Sequence, residues 1–259
     1  SIMRWGQSQW IDEIKALCKH LRFMVSQMRQ ATNMDLAAKR LVGTPLQTFG
    51  MLVRSKSLTQ IQFLHLHRNE LGDAGMEQLA ADMSPKSLPA LVYLGLNSNK
   101  IGDAGASALA KAISDGALPS LRVLDLSCNR VSDEGAAALA GPLQMHPTLR
   151  HLYLYQNKKI GDSGVAALFA DLPEGAWKAL EGVHFQHTCI SDAGCTTLIS
   201  ALDGGALPSL KRLSLEETQV SADACNALKQ KLTPPEPKRK SRRAKMKSRR
   251  VRCTQNAVT

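Results

Sequence analysis

Residues 91–105 read LVYLGLNSNKIGDAG, and this stretch decides the architecture. Leu91, Leu94, Leu96 and Asn99 follow the spacing Leu-x-x-Leu-x-Leu-x-x-Asn, and Gly102, Asp103 and Gly105 come soon after. Residues 61–75 (IQFLHLHRNELGDAG) and 121–135 (LRVLDLSCNRVSDEG) repeat the pattern on either side. Further copies begin at Leu149, Leu180 and Leu210, so the six starts lie 30, 30, 28, 31 and 30 residues apart. A weaker copy precedes them: Met34, Leu36, Lys39 and Leu41 stand in the places of Leu94, Leu96, Asn99 and Ile101. A period of this length is the signature of stacked units, none of which can bury its apolar face alone.

Each copy spells a strand, a turn and a helix. The Leu-x-Leu pair has period two, so both side chains face one side of a short strand. The Asn falls where the chain turns away, and its amide can bond backbone groups that the turn leaves unpaired. Thr188 and Thr218 take that place in the last two copies and supply a weaker version. The Asp of Gly-Asp-Ala-Gly is expected to cap the helix that follows it. An Ala-rich helix comes next, and Leu-Pro, as at Leu118 and Pro119, ends it. Trp177 occupies the slot of Leu118 and is expected in the core.

The pattern resembles the ribonuclease-inhibitor-like leucine-rich repeats over most of the chain. The resemblance implies an α/β solenoid, a horseshoe with parallel strands on the concave side and helices on the convex side. It implies macromolecular binding and not catalysis. The expected organisation is a helical cap or extension at residues 1–30, a degenerate repeat at 31–60, six repeats at 61–232 and a basic tail at 233–259. Within 1–30, Trp10, Ile14, Leu17, Leu21, Met24 and Met28 fall on one helical stripe. That stripe either docks on the first repeat or stays free for a partner or a membrane surface.

Strand alternation then names the residues that face a partner. By repeat they are Phe63, His65 and His67; Tyr93 and Asn97; Asp125; His151, Tyr153 and Tyr155; His184 and Gln186; and Arg212 and Glu216. All three tyrosines and four of the seven histidines are on this face. Aromatic side chains bury large area at little entropic cost, so the face is the expected protein-binding surface. A metal is not expected there. His65 and His151 are three strands apart, roughly 14 Å, whereas metal–nitrogen bonds are about 2.1 Å. No nucleophile elbow, phosphate loop or His-Glu-x-x-His helix occurs, and no cofactor is expected.

The net charge of +11 is unevenly spread. Residues 1–57 carry nine basic and three acidic groups, and residues 58–237 carry 14 and 19. After a Pro-rich spacer, the tail presents Lys238, Arg239, Lys240, Arg242, Arg243, Lys245, Lys247, Arg249, Arg250 and Arg252 without an acid. An anionic partner is therefore expected at the ends and not at the body. RNA phosphates, a nuclear import receptor and an anionic membrane surface are the three readings of the tail. No aromatic interleaves its charges, so sequence-specific readout is not expected. The six cysteines form no CxxC pair, which fits reduced thiols. No apolar run reaches the roughly 18 residues of a membrane span, and no secretory signal pattern opens the chain.

These observations set three functional expectations. The first is an accessory subunit of a large RNA-containing assembly, ribosome-like, of the cytoplasmic or the organellar kind, with the tail on RNA and the concave face on protein. The second is a nuclear or cytoplasmic adaptor whose tail is an import signal. The third is a GTPase regulator acting through Arg68 or Arg130, by analogy with Ran GTPase-activating protein. That protein has an acidic tail, the opposite of this one. The compartments in view are the nucleus, the cytoplasm and an organelle such as the mitochondrion.

Overall fold

The computed structural model describes residues 31–232. The cap at 1–30 and the tail at 233–259 lie outside the described residues. Seven strands alternate with seven helices among those described. The strands are β1 (Asn33–Asp35), β2 (Phe63–His65), β3 (Tyr93–Gly95), β4 (Val123–Asp125), β5 (His151–Tyr153), β6 (Gly182–His184) and β7 (Arg212–Ser214). The helices are α1 (Thr44–Arg54), α2 (Gly72–Asp82), α3 (Asp103–Ser114), α4 (Asp133–Gln144), α5 (Asp162–Phe169), α6 (Asp192–Asp203) and α7 (Ala222–Leu232).

The strands form one parallel sheet in sequence order. Met34, Leu64, Leu94, Leu124, Leu152, Val183 and Leu213 stand side by side across it. Neighbouring strands are about 4.8 Å apart, while a helix with its side chains is about 10 Å wide. A stack with one strand and one helix per unit must therefore bend with the sheet on the inside. No described helix is long and apolar enough to cross a membrane.

The core is a continuous column between sheet and helices. Leu64, Leu66, Leu94, Leu96, Leu124, Leu126, Leu152 and Leu154 are fully buried from the strand side. Leu79, Leu109, Leu139, Leu168 and Leu198 meet them from the helices, also fully buried. Burying such a side chain contributes about 1.5–3 kcal/mol. Trp177 is 1% exposed, stacks on Phe169 at 5.6 Å between centroids and donates its indole N–H to the Leu168 carbonyl.

A ladder of asparagines ties the turns together. Asn99 Oδ1 accepts the Asn69 amide N–H at 2.8 Å, and its Nδ2 donates to the Leu66 and Leu96 carbonyls at 2.8 and 2.9 Å. Asn69, Asn129 and Asn157 bond in the same manner. Thr188 keeps the bond to the carbonyl three residues earlier, and Thr218 keeps that bond and accepts the Val220 N–H at 3.4 Å.

The aspartates act differently from the sequence expectation. Asp103 does not cap its own helix α3; it accepts the Ser132 and Gly135 N–H groups at 2.8 and 3.0 Å, at the start of α4. Asp73, Asp133 and Asp162 likewise bond the first turn of the following repeat's helix. The reason is position. Asp103, Asp133 and Asp162 are each the first residue of their own helices, past the capping site, and their carboxylates reach along the stack. Capping is thus an inter-repeat bond.

Candidate functional site

The inward Leu of each short strand leaves its two neighbours on the open face of the sheet. Phe63 is 41% exposed, and His65, His67, Tyr93, Asn97, Asp125, His151, Tyr153, Tyr155, His184 and Gln186 are all half-buried. Arg212 and Glu216 stand exposed on the last repeat.

The rings form two groups. His65 packs on Tyr93 with centroids 4.9 Å apart, and His67 meets His65 edge-on at 6.2 Å. Two repeats on, Tyr153 stacks on His184 at 4.4 Å with the planes 7° from parallel, and His151 lies 6.3 Å from Tyr153. Asp125 stands between the groups. Two glycines let rings lie close to the sheet. A Cβ on Gly95 would meet the Tyr93 ring at 2.9 Å, and one on Gly182 would meet His151 Nδ1 at 2.7 Å.

Burial shapes the chemistry of this face. It pushes the Tyr93 and Tyr155 phenols above their ordinary range, and the Asp125 carboxylate adds to the effect. Burial also pushes His151 and His184 below the usual histidine value, and for His184 the neighbouring His151 adds to it. Tyr93, Tyr155, His151 and His184 are thereby all pushed towards their neutral forms. His151 Nδ1 and Gln186 Oε1 are buried without a hydrogen-bond partner among the described residues. At the N-terminal edge of the strands Glu181 joins Arg150 at 3.0 Å and Lys211 at 3.1 Å. No described group of three or more His, Cys, Asp or Glu is placed to hold a metal ion.

Residues 58–80, 88–110, 117–140 and 146–169 match the family model described as Leucine Rich repeat. The fold is a leucine-rich-repeat solenoid. The actin-binding site 2 of leiomodin-1 is similar in structure at 12% identity and a TM-score of 0.43, covering 84% of this chain and 100% of that one. An internalin of Listeria monocytogenes is similar at 19% identity and 0.43, with 79% of this chain against 53% of that one. The tropomodulin C-terminal domain of Caenorhabditis elegans is similar at 14% identity and 0.36, covering 88% and 95%. No curated protein is significantly similar in sequence. The Leucine Rich repeat match supports a non-catalytic scaffold for protein interaction.

The leucine-rich-repeat stack also lines up exposed cations that the sequence reading did not group, Arg68 and Arg130 having been singled out there only as loop arginines. The turns that follow β1 to β5 carry Lys39, Arg40, Arg68, Lys100, Arg130, Lys158 and Lys159, all exposed. The signal was available in the repeat register, where Arg40, Lys100, Arg130 and Lys158 each follow the ladder position. Summing charge over long segments hides it. Of the tail candidates, Lys238 to Arg252, all lie outside the described residues.

Proposed function

We propose that the protein is a non-catalytic scaffold that binds a protein partner on the aromatic face of its sheet. The observation that carries this reading is the paired stack, His65 on Tyr93 and Tyr153 on His184, with Tyr93 laid against Gly95 and the neighbouring His151 against Gly182. Rings already held in place lose little entropy on binding, and half-buried aromatics are the residue type that anchors interfaces. The test places a photo-crosslinking residue at Asn97 and, as a control, at Lys111 on the convex side. Crosslinks to one discrete protein from the first position only, lost in Tyr153→Ser, support the reading. Equal labelling from both positions ends it.

The finer reading is an accessory subunit of an RNA-containing assembly of the ribosomal kind. Ten Lys or Arg without an acid at residues 238–252 favour it, since such a run neutralises phosphates and releases counterions. The adaptor reading takes the same run as a nuclear import signal. Sedimentation of the native protein with and without ribonuclease separates the two. Co-migration with a particle that ribonuclease destroys supports the assembly, and a small, ribonuclease-indifferent species supports the adaptor. The helix in every repeat supports assignment to the ribonuclease-inhibitor-like type.

A further inference from the structure

We propose that the turn edge of the first five repeats binds the backbone of a single-stranded nucleic acid, independently of the tail. The turns after β1 to β5 hold seven cations and one carboxylate, Glu70, a surplus of six. The next two turns, at residues 186–189 and 216–219, hold no cation and two glutamates. The body is acidic in sum because its carboxylates concentrate on the helices, among them Asp73, Glu77, Asp82, Asp133, Glu134 and Asp203. Folding therefore separates the charges that the linear count cancels.

The edge is built as a row. Arg68 N–H donates to the Asn97 carbonyl, Ser98 N–H to Ser127 and Cys128 N–H to Tyr155, at 2.9–3.1 Å, so successive turns stand in register. At about 4.8 Å per strand, five turns span on the order of 20 Å. Of the seven cations, Lys100 alone is in an ion pair among the described residues, at 3.2 Å from Glu70. The Lys159 charge is felt at Glu134, whose carboxylate is engaged with the Ser132 hydroxyl. The fifth turn has one extra residue, which places both Lys158 and Lys159 between Asn157 and Ile160. With Arg130 they rim an open hollow of about 690 Å³ that also touches Cys128 and Gln156.

Two features select a nucleic-acid strand over an acidic peptide. A strand carries its anions at a regular short interval, which a row of turns matches. Half-buried rings also adjoin the cations: His67 precedes Arg68, and Tyr155 lies three residues before Lys158. A basic track beside aromatic platforms is the common design for single-stranded binding, with phosphates on the track and bases on the rings.

The test uses the full chain with its ten tail bases replaced by Gln, so that failure at the tail and failure at the edge are read apart. The probe is a fluorescent single-stranded RNA of about twenty nucleotides, titrated at several salt concentrations. Arg130→Glu, Lys158→Glu and Lys159→Glu together are expected to weaken binding about tenfold or more, and to lower the salt slope by about 2, three contacts at roughly 0.7 each. Lys86→Glu, Lys111→Glu and Lys178→Glu, an equal charge change away from the turn edge, are expected to leave the slope unaltered. Tyr155→Ala is expected to weaken RNA binding about tenfold with the slope kept. Equal effects of the two triple variants would overturn the proposal. So would competition by poly-glutamate as strong as by RNA with Tyr155→Ala inert, which would make the edge a carboxylate site.

Discussion

Asn129 Oδ1 accepts the backbone N–H of Asn99 at 2.9 Å, across thirty residues of sequence. The same oxygen accepts the Ile101 N–H at 3.0 Å, and Asn129 Nδ2 donates to the Leu96 and Leu126 carbonyls at 3.0 and 2.9 Å. One amide thus closes four buried backbone groups on two repeats. Each buried group left unpaired costs about 1–3 kcal/mol. Asn129→Ala strands the Asn99 and Ile101 N–H groups, while the Leu96 and Leu126 carbonyls keep the Asn99 and Asn157 amides, so it is expected to lower unfolding stability by about 2–6 kcal/mol; Thr218→Ala, which ends the bonds to the Leu215 carbonyl and from the Val220 N–H at the last turn, costs about 1 kcal/mol. Urea denaturation of the two variants checks the ranking, and equal losses would refute the ladder as a main support.

The inter-repeat caps make a prediction about location. Asp103→Ala is expected to leave α3 protected and to speed amide exchange at Ser132 and Gly135, at a cost of about 1 kcal/mol. Hydrogen exchange read by residue decides it, because faster exchange at Ala104 and Gly105 would return the cap to its own helix. Asp162 adds a pH dependence. Burial alone would raise its pKa, but the Ser191 hydroxyl and the Ser191 and Gly194 N–H groups hold it below 3.8. A carboxylate with a depressed folded-state pKa gives stability that is complete above its unfolded value and lost as pH falls through the folded one. Asp162→Asn should flatten the acid limb of the stability curve below about pH 4.

Why the ladder was legible and the caps were not follows from geometry. Asn99 and the leucines declare themselves by period, because each repeat uses them alike, although the bonds of the Asn amides to the preceding repeat show only in the stack. The Asp103 carboxylate also recurs, yet its target is thirty residues away, and only the stacked structure shows which helix it meets. The aromatic face was readable as a set of positions by strand alternation. Its pairing, Tyr153 on His184 across two repeats, depends on the 31-residue spacing that brings His151 opposite Gly182. The basic edge escaped because Arg40, Lys100, Arg130 and Lys158 are far apart in the chain and diluted by helix carboxylates.

Two glycines that are alike in sequence separate structure from function. A Cβ on Gly135 would stand 2.4 Å from Asp103 Oδ1, 2.8 Å from Val131 Cγ1 and 3.3 Å from the Asp103 backbone, at the heart of the cap. A Cβ on Gly182 would meet His151 Nδ1 at 2.7 Å, the end of a half-buried side chain that can swing away. Gly135→Ala is expected to cost about 2–3 kcal/mol. Gly182→Ala is expected to keep Tm within a few degrees while lifting His151 and weakening partner capture. Melting curves with the crosslinking assay distinguish them, and a large Tm loss in Gly182→Ala would contradict this account.

The histidines set the response to mild acid. His151 and His184 are held below 6.5, first by burial, which disfavours the imidazolium; Arg212 acts in the same direction on both, Glu181 opposes it at His151, and Glu216 opposes it at His184. Such a group binds fewer protons folded than unfolded near its ordinary pKa, so stability rises with pH across that interval. The contribution is complete above about pH 7 and declines as pH falls through 6.5 towards the lower folded-state value. His146, buried and bonded to the Leu118 carbonyl, moves the same way and must be controlled separately. The variant His151→Gln with His184→Gln is thus expected to lose less stability than the parent between about pH 8 and about pH 5.5, while His146 stays in both. A partner that covers the Tyr153–His184 stack deepens the burial, so its affinity should fall over the same interval in the parent and not in the variant. Calorimetric titration at the two pH values reads this directly. A pH-independent affinity in the parent would mean that the partner does not rest on the stack.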